Sequence, residues 1–328
     1  MPLSFSVIIP LYNKGAHIER ALDSVRAQTM RSAEIIVIDD ASTDDGLARV
    51  RDYSEVRIIT RAEPGPGGYA ARNAGVAAAM GNWIAFLDAD DAWEPEHLAE
   101  CTNLIRCAER DPVIAASGYR VCRADGRVGL DVYARHRPAA GPATFDFESF
   151  VALWLEIGEC PVWTSALVAK RSALLHVGGF PAERCRRGGD KDAWLRLAYQ
   201  GGVVVGTRAT ATYFKDSINM VTAKRHANLR PCLVATLEHW ISQTSPERRR
   251  LLRRLRNHET FGYALRTVKT ERLRFAAWRG FSARENPLHF AVLVLLTSPL
   301  GHMIGRLMSR LKSKAIVGRL KSWLLAAR

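Results

Sequence analysis

The fold of this chain is decided by residues 83–91, which read WIAFLDADD. The first five are apolar and follow a Gly-Asn pair, a pattern typical of a buried strand of a parallel sheet. Three carboxylates, Asp88, Asp90 and Asp91, come directly after this strand. Because adjacent carboxylates repel one another, the pattern favours a site for a cation or a hydroxyl-rich ligand. The alternative is an acidic turn that caps the next helix.

Strands and helices alternate before this stretch, with short links between them. The predicted elements are strands at 5–10, 34–38 and 56–60, and helices at about 16–28, 42–53 and 69–80. Such alternation predicts right-handed crossovers and a parallel sheet. Asp39 and Asp40 end the second strand, so they should converge with Asp88 and Asp90 at one sheet edge. No GxGxxG follows the first strand, which disfavours a Rossmann dinucleotide site.

The pattern changes after a helix predicted at about 95–110. Short strands are expected at 113–118, 119–123, 128–132, 162–169, 203–205 and 209–214. A helix begins near Asp190, with Trp194, Leu197 and Ala198 on one face. This half is therefore mixed α+β, and the chain becomes helical in pattern from about residue 225.

The positive charge is concentrated in the C-terminal arm. The chain has a formal net charge of +14, and residues 246–328 carry 19 Lys and Arg against 4 Asp and Glu. The other residues carry 28 against 29. Any argument about nucleic acid or anionic lipid therefore concerns the arm. The cysteines show no CxxC pair, which argues against a zinc site.

Five segments occur in a fixed order and carry the acidic residues of the predicted sheet edge. They are VIIPLYN (7–13), VIDDASTD (37–44), RNAG (72–75), FLDADD (86–91) and DKDAWLR (190–196). As a set they resemble the family 2 glycosyltransferases of GT-A fold. The resemblance covers about residues 4–220 and implies an α/β fold with a mostly parallel sheet flanked by helices.

The resemblance implies a nucleotide-sugar site at the sheet edge. Asp40 would accept a hydrogen bond from the nucleobase, and Arg72 would reach the base or the diphosphate. Asp88 and Asp90 match the family's DxD motif, in which Asp88 would bind the ribose and Asp90 the Mg²⁺ or Mn²⁺ on the diphosphate. The predicted donor site comprises Pro10, Tyr12, Asn13, Asp39, Asp40, Arg72, Asp88 and Asp90, with Asp90 and Asp88 as metal ligands.

Asp190 matches the family's catalytic base, which deprotonates an acceptor hydroxyl for attack on the anomeric carbon. One base and a metal-bound leaving group suffice for a single inversion. Asp91, Asp192 and Trp163 are secondary site candidates. Many members have Glu-Asp where Gly189-Asp190 stands here, so an acid that would hold the acceptor is missing. The family also has a histidine near the end of the domain that is sometimes a metal ligand, and it has no clear match around residues 213–220.

The predicted protein is an inverting glycosyltransferase that uses a nucleotide-diphosphate sugar, with a UDP-sugar expected. Its acceptor is expected to be a saccharide on a lipid carrier, in the synthesis of a surface polysaccharide or glycolipid. The predicted domains are residues 1–224, with a nucleotide half (1–110) and an acceptor half (111–224), and a basic helical region, 225–328. The absence of a signal-peptide pattern at the N-terminus makes a cytoplasmic location the expectation.

Two structural interpretations of the C-terminal arm remain open, and so does a rival function for the whole chain. The apolar run 288–296 is too short to span a bilayer but suits a helix lying in the interface. The basic residues expected to accompany it on an anionic inner membrane face are Arg306, Arg310, Lys312, Lys314, Arg319 and Lys321. The alternative is a helical subdomain packed on the core or a dimer interface. The rival function is non-catalytic nucleic-acid binding, which would leave the acid clusters unexplained.

Overall fold

A computed structural model describes residues 2–138, 141–217, 230–268, 271–301 and 303. The chain divides into two compact units, residues 1–153 with 159–221, and residues 154–158 with 222–328. The predicted domain limits at 224 and 225 stay a prediction.

The first unit contains a sheet that has ten strands in the described ranges. The strands are β1 Phe5–Leu11, β2 Glu34–Asp39, β3 Val56–Thr60, β4 Trp83–Phe86, β5 Ala92–Trp93, β6 Pro112–Cys122, β7 Val128–Leu130, β8 Ala143–Phe145, β9 Leu167–Lys170 and β10 Gly202–Phe214. Their order is β3-β2-β1-β4-β9-β6-β10-β5, with β7 beside β6 and β8 beside β10.

The first unit also contains helices, which flank this sheet, and the last three of the described helices belong to the second unit. They are α1 Gly15–Arg26, α2 Gly46–Val50, α3 Tyr69–Ala78, α4 His97–Cys107, α5 Val132–His136, α6 Phe147–Ile157, α7 Arg171–His176, α8 Gly189–Ala198, α9 Cys232–Gln243, α10 Pro246–Thr267 and α11 Pro287–Thr297.

The sheet has a parallel half and a mixed half. β1 pairs in parallel with β2 and β4, and β2 pairs in parallel with β3. The carboxyl ends of β1, β2 and β4 therefore meet at one edge, as predicted. β9 is antiparallel to both β4 and β6 and joins the two halves. In the mixed half, β6 and β10 are parallel, whereas β5 and β8 run antiparallel to β10.

The centre of the core lies on both faces of β1 and β4. All four residues of β4 are buried, which explains its unbroken apolar sequence. α1 buries Ile18, Leu22 and Val25 at the predicted helical spacing. α3 approaches β1 through Gly75, where a Cβ would lie 2.6 Å from Cγ2 of Ile8. A glycine is needed here because no larger residue permits this close approach.

Several predicted elements differ from the observed ones. The two strands expected at 203–205 and 209–214 are one strand, β10, whose pairing with β6 is irregular between Val205 and Ala209. This bulge interrupts the apolar alternation and made one strand resemble two. Likewise, 113–118 and 119–123 belong to the single strand β6. The strand expected at 162–169 starts only at Leu167, after a 3-10 turn.

The helix expected at 42–53 is also shorter than predicted. It begins at Gly46, not near Ser42. The Ser42 hydroxyl does not cap it, since Oγ accepts a hydrogen bond from the backbone N–H of Asn13 at 3.2 Å. β5, β8, α5, α6 and α7 were not predicted from the sequence, and all of them except α6 have six residues or fewer.

The second unit is helical in its described part, as predicted. α10 and α11 enclose an apolar cluster that includes Phe261, Trp278 and Leu293. Asn257, fully buried, holds the connection between them: its Nδ2 donates to the Ser282 carbonyl at 2.8 Å. Among the described residues, no helix is both long and apolar enough to cross a membrane.

Candidate functional site

The acidic turn after β4 is fixed from beneath by one buried hydroxyl. Ser165, with no exposed surface, accepts a hydrogen bond from the backbone N–H of Asp88 at 3.1 Å. The same Oγ donates to Oδ2 of Asp91 at 2.8 Å. The Trp93 indole N–H donates to the Ser165 carbonyl at 2.6 Å, which locks the backbone. One serine therefore sets the position of both ends of the turn.

Asp91 faces into the protein. It is 1 % exposed, and its Oδ1 accepts a hydrogen bond from the backbone N–H of Phe214 at 3.3 Å. Burial, together with the charges of Asp88 and Asp90, raises the pKa of Asp91 well above its ordinary value. In this arrangement Asp91 supports the turn from inside.

Asp90 is partly exposed and is bound by a lysine. Its Oδ2 accepts from Nζ of Lys14 at 2.7 Å and from Oγ of Ser217 at 2.5 Å. Burial alone would raise the pKa of Asp90, but Lys14 and Ser217 outweigh it, and the pKa is lowered. Asp90 is therefore held as a carboxylate, the form that binds hard cations.

Asp88 is paired with Arg72 from α3. Nη2 of Arg72 donates to Oδ1 of Asp88, and Nη1 donates to the Gly67 carbonyl at 3.2 Å. Burial alone would lower the pKa of Arg72, but Asp88, Tyr69 and Asp190 outweigh it, and the pKa is raised. Nε of Arg72 is also buried, and the guanidinium thus has one buried donor that makes no hydrogen bond to the described residues.

The end of β2 is joined to the glycine-rich loop that precedes α3 and comprises residues 64–68, PGPGG. Asp40 forms an ion pair with Nη1 of Arg61 and accepts a hydrogen bond from the backbone N–H of Gly65 at 3.0 Å. The Asp39 side chain makes a local contact: its Oδ1 accepts a hydrogen bond from the backbone N–H of Ser42, three residues later, at 3.2 Å. The loop that Asp40 holds also contains Gly67, which contacts Arg72.

The end of β1 supports the same edge. Asn13 has a positive φ of 51°, and its Oδ1 accepts from the backbone N–H of Thr43 at 2.7 Å. Tyr12 is 38 % exposed. Pro10 lies under the glycine-rich loop, since a Cβ on Gly68 would be 3.8 Å from its Cβ. These three residues thus lie at the predicted edge.

α3 also anchors the segment that carries Asp190. Asn73 exchanges two hydrogen bonds with the backbone of Phe180, both of 2.8 Å, and the Gly189 N–H donates to the Tyr69 hydroxyl at 3.0 Å. Asp190 follows in the first turn of α8 and is partly exposed. The negative charge of Asp190 is one of those that raise the pKa of Arg72. The contact between Gly189 and Tyr69 therefore places the start of α8 beside α3, which carries Arg72, the partner of Asp88.

Tyr69 explains the departure from the commonest family pattern at residue 189. A Cβ on Gly189 would lie 2.9 Å from Cζ of Tyr69 and 3.1 Å from Cγ of Pro181. These distances are too short for a side chain. The tyrosine ring occupies the space that the first residue of a Glu-Asp pair would need.

The other two secondary candidates lie in packed surroundings. Asp192 is fully buried, and its Oδ2 binds Nε of Arg196 at 3.0 Å and Nη2 of Arg184 at 3.2 Å. It is not brought to the site. Trp163 packs on the rings of Tyr119 and Tyr213, with centroids 4.6 Å and 5.2 Å away.

The ability of this site to hold a metal rests on its oxygen donors. Within the described residues, no group of three or more His, Cys, Asp or Glu side chains could hold a metal ion. Asp88 and Asp90 supply two carboxylates, which suit Mg²⁺ or Mn²⁺ chemically. Asp90 is paired with Lys14 and Asp88 with Arg72. The surroundings of both carboxylates therefore already accommodate a positive charge. The two acids fit a cation whose other ligands come from phosphate.

Sequence reasoning missed the residues that position the acids. They are Lys14, Arg61, Tyr69, Ser165 and Ser217. Lys14 directly follows the YN of the first segment, and this proximity was the only available signal. Ser165 and Ser217 reach the turn from 77 and 127 residues away in the chain, and nothing local marks them.

The sequence model of the family described as "Glycosyl transferase family 2" matches residues 6–134. An uncharacterized glycosyltransferase of Nostoc sp. is 39 % identical over 33 % of this chain and 34 % of its own length. The amylovoran biosynthesis glycosyltransferase AmsB of Erwinia amylovora is 38 % identical over 33 % and 37 %. The chain thus spans about a third of the length of these curated relatives.

Among solved structures, the chain is similar to S. aureus TarS 1-349 in complex with UDP-GlcNAc. The TM-score is 0.68 at 16 % sequence identity, over 94 % of this chain and 88 % of that one. A likeness at this identity shows the fold, and it confirms the predicted GT-A-type architecture. The rival prediction of a nucleic-acid-binding protein finds no support in these comparisons.

Proposed function

We propose that the protein is an inverting family 2 glycosyltransferase using a nucleotide-diphosphate sugar, on the premise that residues 6–134 match the sequence model of that family. The observation that carries the proposal is the arrangement of Asp88, Arg72 and Asp190. Support comes from the pairing of Asp88 with the buried Arg72 and from the contact of Gly189, next to Asp190, with Tyr69 of the same helix α3. Asp88, Arg72 and Asp190 are the groups that binding and transfer of a phosphate-activated sugar require.

The proposed donor is a UDP-sugar. Support comes from the solved structure of similar fold, S. aureus TarS 1-349, which is in complex with UDP-GlcNAc. In this chain the edge formed by Asp40, the glycine-rich loop and Arg72 would take the nucleotide. Asp40 is buried and bound to Arg61 and the Gly65 N–H, so it would accept from a base N–H by exchanging one of these contacts. Arg72, paired with Asp88, would contribute positive charge beside the donor.

Mg²⁺ or Mn²⁺ is the proposed cofactor, because family 2 glycosyltransferases commonly use divalent metals. Asp90, with Asp88, would hold the ion, and the diphosphate would supply further oxygens. When bound, the ion neutralises charge on the leaving diphosphate. Lys14 and Arg72 are placed to contribute positive charge to the same group, since both already contact the acids of the turn.

Asp190 is the proposed base. Its carboxylate would accept the proton of the acceptor hydroxyl as the oxygen attacks the anomeric carbon. The bond from that carbon to the diphosphate breaks on the opposite face, so the configuration inverts. Asp192 is unsuited to act as a second nucleophile, because it is fully buried against two arginines. A single displacement therefore fits the residues present.

The proposed acceptor is a saccharide in polysaccharide synthesis. Support comes from the names of two relatives, the amylovoran biosynthesis enzyme and the succinoglycan biosynthesis protein ExoO of Rhizobium meliloti, which is 37 % identical over 37 % of this chain. A lipid carrier for the acceptor is part of the proposal. Trp163, with its aromatic neighbours, is the candidate contact for an acceptor sugar.

A thermal-shift titration tests the donor site. UDP-, GDP- and dTDP-sugars are added with Mn²⁺, and the melting temperature should rise with the logarithm of the matching donor's concentration. Asp88→Asn should lose this rise, whereas Asp125→Asn, an exposed acid of the β6–β7 turn, should keep it. No rise with any nucleotide sugar, or equal rises in both variants, would refute the proposed site.

We also propose a cytoplasmic protein that lies peripherally on the inner membrane face. The support is α11, which buries His289, Leu293 and Leu296 but leaves Val294 and Leu295 exposed. Such a helix suits an interface, and basic residues favour an anionic one. The basic residues predicted to take part, from Arg306 to Lys321, lie outside the described residues.

Flotation with anionic liposomes tests this location. Val294→Gln with Leu295→Gln should reduce flotation of the full chain at low salt. Leu175→Gln, which changes an exposed leucine of the first unit, is the matched control and should float like the wild type. If the wild type stays with the unbound fraction, or both variants float equally, the arm does not bind membranes.

A further inference from the structure

The helical unit buries an arginine that has no carboxylate partner among the described residues. Arg256, on α10, is 8 % exposed. Its one hydrogen bond there is a 3.4 Å contact from Nη2 to Oδ1 of Asn257, and that oxygen already accepts from the backbone N–H of Ser282 at 3.0 Å. A guanidinium has five N–H donors, and this one makes a single long hydrogen bond to the described residues and buries a further donor, Nε, without one.

The nearest acids are engaged by other cations. Glu238 is paired with Arg230, and an oxygen of Glu285 lies 3.6 Å from Nε of Arg250. The parts of the sequence outside the described ranges contain no Asp or Glu at all. No carboxylate side chain from there can therefore neutralise Arg256.

This arrangement is unfavourable for the protein alone. Burial lowers the pKa of Arg256, and the charges of Arg253 and Arg230 lower it further, against the opposing effect of Glu238 and Glu285. A buried charge that lacks a partner destabilises the folded state. Buried arginines are found mostly where something pairs with them.

A second guanidinium lies close to the first. A Cβ on Gly280 would be 3.9 Å from Nη1 of Arg256, 3.9 Å from Nη2 of Arg230 and 2.8 Å from Oε1 of Glu238. Two cationic heads and one carboxylate thus converge on a glycine whose φ is +87°. The cluster has an excess positive charge, and one member of it buries a donor that makes no hydrogen bond to the described residues.

We infer that Arg256 is the centre of a binding site for a phosphate-type oxyanion, with Arg230 as its second cationic group. The planar guanidinium fork matches two oxygens of a phosphate. A phosphate has no proton to donate at most of its oxygens and accepts several hydrogen bonds, as Arg256 requires. Its source is either a soluble phosphate or the headgroup of a lipid. This inference does not depend on the proposed sugar transfer.

Thermal unfolding of the full chain in inorganic phosphate is the first test, with sodium chloride at equal ionic strength as reference. The wild-type melting temperature should rise with the logarithm of phosphate concentration. Arg256→Met should lose this rise, with phosphate affinity reduced by about tenfold or more, the worth of a charge-assisted hydrogen bond. Without phosphate, Arg256→Met should melt at the wild-type temperature or above, because it removes an unpaired buried charge.

Arg254→Met is the matched control. Arg254 lies on the same helix, carries the same charge and is exposed, so its variant should keep the phosphate response. If Arg256→Met does not fold, Arg256→Lys serves instead, since it keeps the charge but loses the fork and should bind phosphate more weakly. A phosphate response that is absent in the wild type, or unchanged in the Arg256 variant that folds, overturns the inference.

Liposome flotation then separates the two sources. Phosphatidylcholine vesicles carry either phosphatidic acid, a phosphate monoester, or phosphatidylglycerol at matched charge. For a headgroup ligand, Arg256→Met should lose flotation selectively with phosphatidic acid. If the variant loses only the response to inorganic phosphate and floats like the wild type, the ligand is a soluble phosphate. Both results support the phosphate site. A variant that equals the wild type in both assays would refute it.

Discussion

Ser165→Ala should disturb the acidic turn more than its small change in volume suggests. The Ser165 hydroxyl accepts from the Asp88 N–H in a partly buried contact and donates to Asp91 in a buried one. Removing it leaves one donor and one acceptor without a partner, each costing about 1–3 kcal/mol. We therefore expect the free energy of unfolding to fall by about 2–6 kcal/mol. Since the Trp93 bond is to the backbone, the 3-10 turn itself should stay in place.

The matched control is Ser117→Ala. Ser117 is also buried, and its hydroxyl accepts from Oγ1 of Thr210 at 2.8 Å and donates to the Gly118 carbonyl at 3.0 Å. Thr210 keeps its bond to His97, and no carboxylate is involved. Of these groups, only the Gly118 carbonyl then loses its donor, so the loss should be about 1–3 kcal/mol, about half of that expected for Ser165→Ala.

Urea unfolding followed by circular dichroism measures both losses, and calorimetry with UDP and Mn²⁺ measures binding. Ser165→Ala should also weaken UDP binding by about tenfold, because the turn that carries Asp88 and Asp90 is no longer held. Ser117→Ala should leave binding unchanged. The reasoning is refuted if Ser165→Ala costs no more stability than Ser117→Ala, or if it binds UDP with wild-type affinity.

Three further changes probe the acids of the site. Asp190→Asn should keep donor binding in calorimetry while transfer falls by about 10² to 10⁴, the usual contribution of a general base; near-wild-type turnover would exclude Asp190. Asp90→Ala should abolish the Mn²⁺ dependence of UDP binding, and an unchanged Mn²⁺ dependence would contradict its role as a ligand. Asp91 has a raised folded pKa, so its contribution to stability is complete below its unfolded pKa and is lost as pH rises through the folded one. Wild-type stability should therefore fall with rising pH relative to Asp91→Asn in urea titrations, and a constant difference would count against this.

The parallel half of the sheet and the convergence of its acids followed from the sequence. Strands β1, β2 and β4 are continuous apolar runs with acids at their ends, and the rule that parallel strands end at one edge placed Asp40 and Asp88 together. The motif at Asp190 came from resemblance, because no local pattern links a helix start to a strand more than a hundred residues away.

The partners of those acids did not follow from the sequence. Whether Asp90 meets Lys14, or Asp192 meets Arg196 and Arg184, depends on side-chain direction and on contacts between distant segments. Asp192 illustrates this, since it was a secondary site candidate by sequence and its burial against two arginines removes it. The split of β10 into two predicted strands has the same origin, because its bulge depends on pairing with β6.

The contact between Tyr69 and Gly189 also bears on how such a site changes over generations. In a relative that carries Glu at the position of Gly189, the acid would need the volume that the Tyr69 ring fills here. The two positions should therefore covary, with either a tyrosine and a glycine or a smaller residue and an acid. A lineage that exchanged one pair for the other would pass more easily through loss of the tyrosine, because an opened space costs less than a side chain forced against a packed ring. An engineer who wishes to restore the acid should make the substitutions in that order.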